Sequence, residues 1–73
     1  MPNITVELLR GRSLDQRRAF VEAVTVQAVD ILGARRQDVR IVFQEIGGDD
    51  VANGGVLAMD DVSRAEVLAR HGQ

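Results

Sequence analysis

Ser13 to Gly33, SLDQRRAFVEAVTVQAVDILG, is the stretch that decides the fold. Ser13 followed three residues later by Gln16 is a capping-box signature that opens a helix. Phe20, Val21, Val24, Ala28, Ile31 and Leu32 recur at three- and four-residue steps, which gives that helix one apolar stripe, and Gly33 supplies its stop. On its N-terminal side, Ile4, Val6 and Leu8 alternate with Thr5, Glu7 and Leu9, as in a half-buried strand. On its C-terminal side, residues 38–46, DVRIVFQEI, alternate in the same way, with Val39, Ile41 and Phe43 opposed to Arg40, Val42, Gln44 and Ile46. Strand, helix and strand in this order predict a crossover with the two strands as parallel neighbours and the helix across one face. Two strands are too few for a stable sheet, so the unit is expected to join its sheet to another copy. Further on, VANGGVLA (51–58) places an Asn-Gly step between short apolar pairs and predicts a hairpin. Ser63 and Glu66 repeat the capping-box spacing and predict a short tail helix ending near Gly72. The fold class read from this is α/β (α+β): a β-α-β protomer with a C-terminal hairpin, forming a single domain over 1–73 with its core at about 2–59 and a tail from 60.

With 73 residues, such a domain is marginal alone. Cysteine is absent and no His/Cys cluster suggests a metal, so association is the expected substitute for a disulfide or metal staple. The net charge of −2 is mild, and the nine basic residues, all arginine, are spread among eleven acids. No nucleic-acid footprint results. Phe20 and Phe43 are the only aromatic residues, no apolar run reaches membrane-spanning length, and no basic segment followed by an apolar one marks a secretory signal. The expected partners therefore include neither nucleic acid nor membrane, and the expected location is the cytoplasm.

Familiar catalytic sets are sparse. His71 lies close to the C-terminus and reads as a solvated tail residue, while Ser13 is better explained as a cap than as a nucleophile. Gly47-Gly48 and Gly54-Gly55 lack the lysine and helix start of a phosphate loop and read as turns, and Asp49-Asp50 and Asp60-Asp61 read as loop charges. Pro2 is different. It has no backbone N–H and serves no sheet ladder, so its own nitrogen is the reason to look at it. With Met1 removed, Pro2 carries a secondary amine, and α-amino groups titrate at about pH 8. Neighbouring arginines and a dry pocket disfavour its protonated form, which would make it a general base near neutrality. Arginines also grip carboxylates in a bidentate fork.

Pro2 ahead of a strand, LLRGRS (8–13) placing Arg12 just before the helix, DVRIVFQE (38–45) carrying Arg40, and the VANGGVLA hairpin together resemble the 4-oxalocrotonate tautomerase family over about residues 2 to 59. The resemblance implies a hexamer, a trimer of dimers in which each site draws residues from neighbouring subunits, expected as a homo-hexamer with a heteromer of two sister chains as the alternative. It implies proton transfer on a small unsaturated 2-hydroxy or 2-oxo acid such as 2-hydroxymuconate, in aromatic catabolism, with no cofactor and no metal. Pro2 would be the base, Arg12 would grip the distal carboxylate, and Arg40 would hold the carboxylate and 2-oxygen end and polarise the developing enolate.

Two positions depart from the family pattern. Val51 stands where the family usually has a phenylalanine walling the substrate pocket, and Asn53 stands where dehalogenase relatives carry a water-activating glutamate. A plainer reading of Arg12 is a solvated junction residue, and of Arg40 an ion pair with Glu45 or Asp38. The alternatives in function are a superfamily decarboxylase or dehalogenase of three-carbon acids, and a non-catalytic oligomeric subunit should Met1 be retained.

Overall fold

The computed structural model describes residues 1–62; the tail positions, including the Ser63–Glu66 cap and His71, lie outside the described residues. The chain divides into two compact units. One comprises Met1–Val6 and Arg12–Phe43, and the other Glu7–Gly11 and the described residues from Gln44.

Strand β1 spans Asn3–Leu9 and β2 spans Arg40–Ile46, each of seven residues, and they are sheet neighbours. In the first unit the Arg40 N–H donates to the Pro2 carbonyl at 3.0 Å; in the second, the Arg10 N–H donates to the Ile46 carbonyl at 2.9 Å. Start therefore bonds to start and end to end, the parallel arrangement expected of a strand-helix-strand unit.

Helix α1, Leu14–Leu32, joins the strands. Its capping box is complete: Ser13 Oγ accepts from the Gln16 N–H at 3.1 Å, and Gln16 Oε1 accepts from the Ser13 N–H at 2.8 Å. Two of the N–H groups that any helix leaves without an intrahelical partner are thereby satisfied. Gly33 ends the helix at φ 71°, a left-handed conformation that a Cβ disfavours, and its N–H returns to the Val29 carbonyl. Helix and sheet meet at Phe43. The Phe20 ring lies 6.0 Å from the Phe43 ring at 52°, and the Arg17 guanidinium carbon sits 5.3 Å from the Phe43 centroid. Contacts of these two kinds are each worth about 0.5 to 1.5 kcal/mol beyond simple burial.

Three sequence expectations are refined. Strand β2 begins at Arg40, because residues 36–38 form a 3-10 turn in which the Asp38 N–H bonds to the Arg35 carbonyl at 2.9 Å and the Val39 N–H to Arg36 at 3.2 Å. The apolar stripe of α1 is present, yet a single protomer leaves much of it bare: Ile31 is 74% exposed and Leu32 68%, and among the described residues only Ala28 and Ala58 are buried apolar residues. The cause is width, since two strands about 4.8 Å apart offer too narrow a floor for a helix about 10 Å across. The hairpin pairs Ala52–Asn53 (β3) with Val56–Leu57 (β4), and its turn is Gly54-Gly55, at φ 61° and 82°. Asn53 closes the strand ahead of a two-residue turn that needs positive φ at both centres. Before it, the Asp50 carboxylate accepts from the Gly47 N–H at 2.7 Å, so this loop charge is a local cap for the turn.

Candidate active site

Pro2 precedes β1, where its ring fixes φ and its carbonyl is held by the Arg40 N–H. It is half-buried, and with Met1, Leu32, Gly33, Ala34, Arg35 and Asp38 it lines a cleft of about 500 Å³. The end of α1 supplies the far wall because the left-handed turn at Gly33 redirects the chain through Ala34 into the 36–38 turn. Arg36 forms an ion pair with Glu22 of α1, which ties that turn to the helix.

The charged part of the wall is one pair. Arg35 Nε donates to Asp38 Oδ2 at 2.8 Å and Nη2 donates to Oδ1 at 3.2 Å, a two-bond fork. The Arg35 side chain is 72% exposed and that of Asp38 is 25% exposed, so the carboxylate lies inward and the guanidinium outward. Asp38 is thus engaged by Arg35, not by Arg40 as the ion-pair reading of the sequence allowed. Neither Arg35 nor Asp38 was singled out from the sequence as a site residue; the available signal was the i, i+3 Arg-Asp spacing directly after the helix stop.

The residues expected from the sequence fall in three places. Pro2 and Arg40 are joined through the main chain. The Arg40 side chain is exposed and, by strand alternation, projects from the face opposite Ile41 and Phe43, away from α1. Arg12 is half-buried in the segment between β1 and α1. Seven strand residues at about 3.3 Å each put it on the order of 23 Å from Pro2 in the same chain. No single chain brings Arg12 to its own Pro2. Val51 belongs to the second unit, is half-buried, and its carbonyl accepts from the Ala58 N–H at 2.9 Å.

A second depression of about 450 Å³ lies over α1, lined by Ile4, Phe20, Val24, Ala28 and Ile31 among others. Its walls are almost wholly apolar, so it offers surface for packing and no groups for chemistry. Among the described residues no group of three or more His, Cys, Asp or Glu side chains could hold a metal ion, and no described helix is long and apolar enough to cross a membrane.

The chain is thus a short β-α-β unit with a proline ahead of its first strand, beside a cleft at the helix end. The chain belongs to the tautomerase family, whose model, described as tautomerase enzyme, matches residues 2–60. It is 38% identical over 60 residues to a probable tautomerase of Staphylococcus epidermidis, spanning 82% of this chain and 98% of that one. Among solved structures, it is similar to a 4-oxalocrotonate tautomerase isozyme of Methylibium petroleiphilum, with a TM-score of 0.75 and 30% identity over 81% of this chain and 95% of the other. It is also similar to TomN, a 4-oxalocrotonate tautomerase homologue of the tomaymycin biosynthetic pathway, with a TM-score of 0.74 and 34% identity over 93% of this chain and 95% of that one. The β-α-β fold and the 4-oxalocrotonate tautomerase resemblance read from the sequence agree with these relatives, and the function class is tautomerase-type.

Proposed function

We propose that the chain, once Met1 is removed, is an enol-keto tautomerase in which the Pro2 amine moves a proton on a small unsaturated 2-hydroxy or 2-oxo acid such as 2-hydroxymuconate. The observation that carries this reading is the position of Pro2, half-buried in a cleft and held by the backbone of a strand that begins with Arg40. A proline in an acylated chain has an amide nitrogen without a basic lone pair, so cleavage after Met1 is part of the mechanism. The freed amine takes the proton of the 2-hydroxyl group and returns a proton to a carbon of the conjugated chain, leaving the ketone; no electrons are exchanged with a cofactor. Arg40, whose side chain points away from α1 and does not line its own chain's cleft, polarises the oxygen on which charge develops at a site shared between chains. Arg12 reaches the site from a neighbouring chain, because its own Pro2 is on the order of 23 Å away. A homo-oligomer of the hexameric type supplies that neighbour, and its contacts would cover the apolar surface of α1 that one protomer leaves bare.

The test is an ultraviolet assay of 2-hydroxymuconate with protein shown by intact mass to lack Met1, set beside Pro2→Ala. The expected loss in Pro2→Ala is about 10²- to 10⁴-fold in kcat. Equal rates in the two proteins overturn the reading.

A further inference from the structure

We propose that Arg35, held by Asp38, is a substrate-carboxylate-binding residue supplied to the cleft by the same chain as Pro2. The inference rests on the proposed proline-centred site and adds to it a cation that is neither Arg12 nor Arg40. Three observations carry it. Of the seven residues lining the Pro2 cleft, Arg35 alone has a cationic side chain. An arginine of this chain at the LLRGRS junction is too distant to serve that wall, by the length of β1. The third observation is the way the guanidinium is held.

An arginine side chain has five N–H donors in a planar fork. Asp38 takes the Nε edge, through Nε and one N–H of Nη2, and the remaining edge, formed by Nη1 and the outer N–H of Nη2, bonds to nothing among the described residues. That free edge has the spacing of a carboxylate. Because Asp38 is the more buried partner, the free edge of Arg35 lies on the solvent side of the pair, on a residue that lines the cleft. Asp38 also neutralises Arg35 at rest, so the wall is not a diffuse cationic surface; it holds one planar donor pair on the cleft that Pro2 also lines. The 3-10 turn and the Arg36–Glu22 ion pair hold the backbone that carries both residues. Arg35 is accordingly a binding residue, and Asp38 a positioning residue that acts through it.

Met1-free protein tests this with two readouts. In the 2-hydroxymuconate assay, Arg35→Ala is expected to raise KM about 10- to 100-fold with a smaller change in kcat, as loss of a charged fork predicts. Arg35→Lys, which keeps the charge and loses the fork, is expected to fall between. Asp38→Asn is expected to raise KM several-fold while leaving kcat near wild type. Calorimetric titration with adipate, an unreactive six-carbon dicarboxylate, is expected to show the same order of weakening with no contribution from turnover. Unchanged KM in Arg35→Ala, or adipate binding that is absent from the wild type or indifferent to Arg35, overturns the inference. The two readings separate cleanly: Arg35-dependent adipate binding with Pro2→Ala as active as wild type sinks the tautomerase mechanism and keeps this site. A Pro2-dependent enzyme indifferent to Arg35 does the reverse.

Discussion

Mixing two disabled variants tests whether a working site is shared between chains. Pro2 stands before β1 and Arg12 after it, and the seven intervening strand residues separate them by on the order of 23 Å, several times the reach of an arginine side chain. A six-carbon dicarboxylate, about 8 Å long by the same extended-chain dimensions, cannot bridge that gap within one protomer. Pro2→Ala lacks the base and Arg12→Ala lacks the carboxylate grip, so each alone is expected to be slow. If the two are unfolded together in equal amounts and refolded, each site draws its proline and its arginine independently from the pool. About one quarter of the sites then carry both native residues. The rate of 2-hydroxymuconate consumption is accordingly expected to return to about a quarter of the wild-type value, far above the sum of the two variants. The same mixture refolded separately and combined at the end is the control for simple addition. Recovery no greater than that control would refute the shared site and place Arg12 outside the chemistry.

Two further outcomes concern stability. Ser13→Ala removes one half of the capping box and is expected to destabilise the fold by about 1 kcal/mol, read as a lower denaturation midpoint with an unchanged denaturant slope. An unchanged midpoint would mean that the α1 start contributes little beyond its packing. The exposed Leu14, Ile31 and Leu32 imply that association completes the core, so the thermal midpoint is expected to rise over about a hundredfold increase in protein concentration. A concentration-independent midpoint, with a monomeric mass by light scattering, would contradict the oligomeric reading.

Much of this fold is legible in the sequence. The Ser13–Gln16 box, the left-handed stop at Gly33 and the double glycine of the hairpin are decided by a few neighbouring residues, whose dihedral preferences and short-range hydrogen bonds do not depend on the rest of the molecule. Strand alternation around a helix-length segment likewise sufficed for a parallel β-α-β order, and Pro2 announced itself by having no use in a ladder. The start of β2 was harder to read, because the pattern of apolar residues continues into a turn that the Arg35–Asp38 pair helps to close. What tertiary structure alone decided is who meets whom. Arg35 and Asp38 are more than thirty residues from Pro2 in sequence, and they join its cleft only because the helix returns antiparallel to β1 and ends beside the strand's first residue. Arg12, ten residues from Pro2, is by the same geometry carried to the opposite end of the strand. Sequence separation sets local conformation, whereas the composition of a cleft depends on element lengths and strand order, and those are properties of the folded chain.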